Sequence, residues 1–179
     1  YRVVPEAETA AAEGEGEGEA PAKAASTQIR IDQVRELQGA LTVTGKRRIA
    51  GVDLDLSAAS ELSPTLFSLA AFADAPTTLH GIGHIRGHET NRIDALIGNL
   101  RALGGEAEEL PDGIRITPRP LHGGLWQAHH DHRIATAGAL IGLRVPGVEV
   151  DDISTTAKTM PEFPQLWAQL LQGEAGPTD

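Results

Sequence analysis

A chain of 179 residues has the length of about one domain. Hydrophobic residues make up 40% of it and charged residues 22%, as in ordinary globular chains, but there are only three Phe, two Trp and one Tyr. The core therefore has to be built from Leu, Ile, Val and Ala, which favours layered α/β packing over a β-sandwich. The absence of Cys excludes disulfides, zinc–thiolate sites and a Cys nucleophile within the segment, no apolar run approaches the ~18 residues of a membrane span, and a formal charge of −10 argues against general binding to nucleic acid or acidic membranes.

In chain order, Tyr1–Val4 reads as the end of a strand from a truncated upstream unit, so the chain is expected to be a piece of a longer protein. Residues 5–28 form a Gly/Glu/Ala-rich stretch. Glu6, Glu8, Glu13, Glu15, Glu17 and Glu19 against Lys23 carry half of the formal charge. Alternating Gly and Glu cannot bury apolar surface, so a disordered, solvated insert is expected there. The folded part is expected over 29–172, followed by a flexible tail at 173–179. Leu41–Thr44 and Gly51–Leu56 alternate like strands. Ser63-Pro64 starts a helix to about Phe72, with Ser63 as its cap. Thr77–Ile85 is strand-like. Arg92–Leu103 repeats Ile93, Leu96, Ile97, Leu100 and Leu103 at helical spacing and stops at Gly104-Gly105. Glu106–Leu110 and Ile114–Thr117 flank a Pro-Asp-Gly turn and predict a hairpin. Asp131 caps a helix over about His132–Leu143, Val148–Asp151 is a strand, and Phe163–Leu171 a last short helix.

An internal repeat underlies this order. Displacing the chain by 70 residues sets Glu61 on Asp131, the Ser63 helix on the Arg133 helix, His88 on Lys158 and the start of the Arg92 helix on the Pro161 region, without a gap. Two copies of a β-α-β-α-β-β unit fit the pattern. The period exceeds those of solenoids, so duplicated subdomains are expected rather than an array.

Three cations occupy places that a helix dipole disfavours: Arg92 opens one helix, Arg133 lies in the first turn of another, and Lys158 stands just before a third. Helix N-termini combined with cations make sites for phosphate and carboxylate groups, so an anion pocket is expected where these ends converge. Carboxylates interleave with them. Asp131 fits a cap. Glu61, with the cap position already filled by Ser63, is free for acid–base work. Glu89 is a partner for Arg92 or Arg86, or a proton carrier, and the sequence leaves these open. The run His129-His130-Asp131-His132, with His122 nearby, invites a metal reading, but no HExxH motif or spaced carboxylate supports it. Walker-type and GxGxxG phosphate loops are absent, and the serines lack a nucleophile-elbow setting.

Three blocks carry a resemblance. Arg86-Gly-His-Glu-Thr-Asn-Arg-Ile93, Asp131-His-Arg-Ile-Ala135 and Lys158-Thr-Met-Pro-Glu-Phe163 are similar, in order and spacing, to the R-x-K-E-T-D-R, D-H-R-M/I-A and K-T-F/Y-P-x-F/Y blocks of the EPSP synthase family. The likeness covers about Leu41–Leu171. It looks closest to actinobacterial members through SAASELSPTLFSLAAFA and RGHET. The resemblance implies an α/β (α+β) fold of repeated β-α-β-α-β-β units, here about two repeats plus a remnant of a third, with half of an active site that closes between two domains. It implies transfer of the enolpyruvyl group of phosphoenolpyruvate to the 5-hydroxyl of shikimate 3-phosphate. By motif position, Arg92, Arg133 and Lys158 would bind phosphoenolpyruvate. Glu61 would accept the hydroxyl proton and contact the shikimate ring, and Glu89 would be the second proton carrier, with Lys158 counted beside them as catalytic. His88 and His84 would contact shikimate 3-phosphate, with His132, Asp131 and Arg86 in support. No metal or organic cofactor is implied; the partners are the two small substrates and a missing N-terminal domain, in a cytoplasmic enzyme that is monomeric when complete.

The chain departs from the family pattern at four places. Glu61 replaces a usual Asp, which moves the carboxylate by ~1.5 Å; His88 replaces Lys, Asn91 replaces Asp, and Met160 an aromatic residue. Two competing readings are a UDP-N-acetylglucosamine carboxyvinyltransferase, which shares the fold and phosphoenolpyruvate, and a catalytically inactive binding domain.

Overall fold

A computed structural model describes residues 48–172. The expectations for Tyr1–Val4, the acidic insert 5–28, the Leu41–Thr44 strand and the 173–179 tail lie outside the described residues. Four elements come first: β1 (Asp53–Asp55), α1 (Ser63–Ala70), β2 (Thr77–His80) and α2 (Arg92–Ala102). The hairpin β3 (Glu106–Leu110) and β4 (Gly113–Thr117) follows, then β5 (Gly124–Trp126), α3 (His132–Gly142), β6 (Val148–Val150) and α4 (Phe163–Gln172). Short 3-10 turns at Ser60–Leu62, Gly83–Gly87 and Ile153–Lys158 precede α1, α2 and α4 respectively.

The duplication is visible element by element. In both copies a short strand leads through a helix to a second strand that pairs parallel to the first: β1 with β2, and β5 with β6. The 3-10 turn and the helix that follow recur at the same displacement. The first copy is completed by its hairpin, which gives the order β1-β2-β4-β3 with β4 antiparallel to both neighbours. The second copy, over the described residues, runs through α4. β5 and the turn at Ile153–Lys158 are elements the sequence reading did not foresee.

The α2 stripe packs as its spacing requires: Ile93, Leu96, Leu100 and Leu103 are buried together with Leu79, Ile114 and Ile116 of the sheet. Gly104, at φ +86°, then ends the helix in a backbone conformation that side chains resist. α1 and α3 lie against one another at close range because small residues line their contact. Ser68 Oγ donates to Ala137 O at 2.9 Å, and Gly138 leaves room for Trp126, whose Nε1 donates to Ile134 O.

Two expectations need correction. The Thr77–Ile85 strand ends at His80. Gly81 has φ +74°, and a Cβ there would lie 2.5 Å from Asp55 Oδ1, so the chain turns away and coils into a 3-10 turn instead of extending. Ser63 is not the cap of α1. The turn Ser60–Leu62 runs directly into the helix, Leu62 holds the cap position, and Ser63 Oγ donates to Ser60 O at 2.6 Å. Pro64 is in the first turn as expected.

Candidate active site

The site is organised by one buried cation. Arg92, the first residue of α2, is 1% exposed, and its guanidinium is surrounded by acceptors from three segments. Nε donates to Asp131 Oδ2 at 2.7 Å and Nη2 to Asp131 Oδ1 at 3.3 Å. Nη2 also reaches Glu89 Oε2 at 2.7 Å. Nη1 reaches Glu61 Oε2 at 3.1 Å and His88 Nδ1 at 2.8 Å. Burial works against the guanidinium charge. The carboxylates of Asp131, Glu61 and Glu89 more than offset it, so the proton is held more firmly than usual.

Each acid comes from a defined place. Asp131 is the N-cap of α3: Oδ1 accepts from the Arg133 backbone N–H at 2.8 Å, which leaves Oδ2 to Arg92. Asn91 caps α2, so Arg92 stands in the first turn with its side chain turned toward the other copy. Glu61 comes from the turn before α1. Its Oε2 also pairs with Arg133 Nε, and its backbone oxygen accepts from Arg133 Nη1 at 3.0 Å. Glu61 and Asp131, the two residues that the repeat superposes, thus converge on the same arginine.

Glu89 links the network to the third cation, since its Oε1 pairs with Lys158 Nζ at the end of the Ile153–Lys158 turn. The Lys158 hydrogen bond, helped by the Glu89 backbone N–H and the Arg92 charge, pulls the Glu89 carboxyl from 4.5 to about 2. Lys158 itself is largely exposed. His132 lies beneath. Burial pushes its imidazole toward the neutral form against the opposing pull of Asp131 and Glu89. Its Nδ1 is buried without a hydrogen-bond partner among the described residues, 3.9 Å from both carboxylates.

The three helix-end cations of the sequence reading, Arg92, Arg133 and Lys158, are therefore brought together with Glu61, Glu89, Asp131, His88 and His132. Of the alternatives left open for Glu89, the partner observed is Arg92. His84 stands at the edge of the network: Nε2 lies 2.9 Å from Ser60 Oγ, and its ring meets His88 edge-to-face at 5.8 Å. Arg86 stands apart. It binds Glu109 through Nε and Nη2 and the carbonyls of Gly83, Leu110 and Pro111, clamping the hairpin to the Gly83–Gly87 turn. Ser60, missed in the sequence, had no signal beyond lying next to Glu61. In the histidine run, His129 and His130 form a turn with φ of 53° and 57° that hands the chain to Asp131, and His122 sits near Gly104. No three His, Asp or Glu side chains among the described residues are grouped as a metal would need. A cavity of 680 Å³ between α2 and β5, lined by Asn91, Asp94, Gly98, Leu125, Gln127 and His129, contains none of the clustered side chains.

The model of the EPSP synthase (3-phosphoshikimate 1-carboxyvinyltransferase) family matches residues 22–167. The chain is 57% identical over 137 residues to 3-phosphoshikimate 1-carboxyvinyltransferase of Kocuria rhizophila, covering 76% of this chain and 31% of that protein. It is 49% identical over 145 residues to that of Mycobacterium ulcerans, covering 80% and 34%. An EPSP synthase structure from Acinetobacter baumannii superposes with a TM-score of 0.66 at 29% identity, over 71% of this chain and 31% of that one. A second from the same organism gives a TM-score of 0.54 at 30% identity, over 60% and 26%. The chain belongs to the EPSP synthase family. It spans about a third of the length of the curated relatives it matches, and an actinobacterial relative is among them, as the RGHET stretch implied.

Proposed function

We propose that this chain is the C-terminal part of a 3-phosphoshikimate 1-carboxyvinyltransferase, which moves the enolpyruvyl group of phosphoenolpyruvate to the 5-hydroxyl of shikimate 3-phosphate and releases phosphate, on the route to chorismate and the aromatic amino acids. The observation that carries the reading is the convergence of Arg92, Arg133 and Lys158 with Glu61 and Glu89 in one network drawn from both copies. Three cations matched by three carboxylates make a site with no net charge from these groups. A substrate carrying a phosphate and a carboxylate enters by competing with the internal acids, and exposed Lys158 is the easiest cation to release.

The consequence falls on Glu89. Once Lys158 turns to the substrate phosphate, the largest cause of the low Glu89 pKa is gone, and the carboxyl regains the ability to hold a proton. Glu89 then supplies that proton to the phosphoenolpyruvate methylene carbon, while Glu61 takes the proton of the acceptor hydroxyl. The hydroxyl oxygen bonds to the substrate's central carbon, giving a tetrahedral ketal. Glu89, now a carboxylate, takes a proton back from the new methyl group, and cleavage of the carbon–oxygen bond to phosphate restores the double bond. Arg92 and Arg133 offset the charge at the phosphoenolpyruvate end. His88 and His84 face the shikimate 3-phosphate side, His132 and Asp131 support the pocket from α3, and Arg86 supports it from outside by fixing the Gly83–Gly87 turn.

The reading includes a second domain of the same polypeptide as the opposite wall of the cleft, no resident cofactor, and a cytoplasmic setting. Among the described residues no helix is long and apolar enough to cross a membrane. The test is phosphate release by the full-length protein given both substrates together and each alone, beside its Lys158→Ala variant. Release that needs both substrates and falls at least ~100-fold in the variant is expected. No release under any pairing refutes the reading, and turnover by this chain alone refutes the two-domain assignment.

A further inference from the structure

The contacts at His88 leave one position in the network without a proton to fill it. Arg92 Nη1 lies 2.8 Å from His88 Nδ1, and a guanidinium can only donate, so Nδ1 presents a lone pair and the ring proton resides on Nε2. Glu61 Oε1 lies 3.3 Å from that same Nδ1. Glu61 Oε2 is occupied by Arg92 and Arg133, whereas Oε1 has no donor among the described residues. Two acceptor atoms, a carboxylate oxygen and an imidazole nitrogen, therefore face one another. A proton arriving on either turns this opposition into a hydrogen bond, for which a contraction of only about 0.5 Å is needed.

We infer that His88 is a proton-carrying partner of Glu61. The inference rests on the reading of Glu61 as the base that takes the hydroxyl proton. The alcohol O–H bond breaks, its electron pair stays on the oxygen that attacks phosphoenolpyruvate, and the proton binds Glu61 Oε1. From Oε1 it passes to His88 Nδ1, giving an imidazolium with protons on both nitrogens. Arg92 Nη1 then gives up its contact to Nδ1 but keeps Glu61 Oε2. The carboxylate of Glu61 is restored with its two guanidinium contacts undisturbed, and the proton leaves through Oε1 to the departing phosphate as its carbon–oxygen bond breaks. Among the described residues, the charged and titratable groups facing His88 fit the exchange. Arg92 from α2 and Glu61 from the turn before α1 contact Nδ1, the His84 ring stacks edge-on, and neighbouring Glu89 is held by Arg92 and Lys158. His88 thus acts through Glu61, as a positioning and relay residue.

The decisive variant is His88→Asn in the full-length enzyme. Its side-chain oxygen can occupy the place of Nδ1 and still accept from Arg92, but it cannot carry a proton. With a relay, kcat falls about 100-fold while KM for phosphoenolpyruvate changes less than about threefold. The limb of the pH–rate profile due to an imidazole disappears, and His88→Ala recovers part of its kcat when free imidazole is added. Undiminished kcat and an unchanged pH profile in His88→Asn, with normal wild-type turnover, overturn the relay alone. Absence of wild-type turnover overturns the transferase reading and the relay with it. Nitrogen-15 NMR of the wild-type histidine rings adds a test independent of activity. The proton of neutral His88 is expected on Nε2, and finding it on Nδ1 refutes the inference.

Discussion

Replacing Asp131 with Ala should unsettle both the site and the fold, because Asp131 performs two tasks at zero exposure. Its Oδ1 caps α3 through the Arg133 N–H, and both of its oxygens accept from Arg92. Losing the cap costs about 1 kcal/mol. Removing one partner of a buried ion pair costs about 3–5 kcal/mol, since the remaining charge stays desolvated. Arg92 retains Glu61 and Glu89, which places the pair loss at the low end of that range, for a total of about 4 kcal/mol. Asp131→Asn keeps the volume and the cap oxygen and removes only the charge, so it should cost about half as much. Urea unfolding of the full-length protein, followed by the fluorescence of buried Trp126, measures the midpoint for each. With a slope of about 2 kcal/mol per molar, the Ala variant should shift the midpoint by about 2 M. A shift under about 0.3 M would show that Arg92 does not depend on Asp131, and would undo the account of the network.

Three further outcomes are expected. Gly138→Ala would place a Cβ 2.5 Å from Trp126 Cδ1, and with the indole fixed by its bond to Ile134 O the cost should be about 1–3 kcal/mol in the same unfolding assay; an unchanged midpoint would contradict the close α3 packing. The Glu89 carboxyl is lowered to about 2, so its contribution to stability is complete above its ordinary value of 4.5 and is lost as pH falls toward 2. Because Lys158 is exposed, that contribution should not exceed about 1 kcal/mol, and Glu89→Gln should flatten the wild-type loss of stability between pH 4.5 and 2; parallel curves for the two proteins would refute the assignment. Deleting Glu6–Glu19 from the full-length protein should leave its rate and phosphoenolpyruvate affinity nearly unchanged, and a large loss of affinity would give the acidic stretch a function.

Much of this was legible in the sequence because it is local. The Ile93–Leu103 spacing, the Gly104 stop, the cap at Asp131 and the hairpin around Pro111-Asp112-Gly113 each depend on a few neighbouring residues, and the repeat was visible as a fixed displacement. The three cations stood out because helix N-termini disfavour them. What the sequence did not disclose depends on distant contact. Nothing near Arg92 shows that its main partner is Asp131, 39 residues away, and nothing near Arg86 shows that it is committed to Glu109. The strand from Thr77 was read too far because apolar residues continue past its end, at Ile82 and Ile85. The positive φ of Gly81 stops it, at a place where Asp55 and Ser57 leave no room for a Cβ.

The sharing of Arg92 between the copies bears on how this architecture can evolve and fold. In a modular array each repeat satisfies its own polar groups and can be added, lost or folded alone. Here the first copy contributes a guanidinium whose desolvation is compensated by an acid that caps a helix of the second. A chain cut between Thr117 and Gly124 would take Asp131 from Arg92, leaving it Glu61 and Glu89, and would leave the second half with a cap acid lacking its cation. The duplicated units have thereby given up their independence, and they should gain and lose structure in a single step.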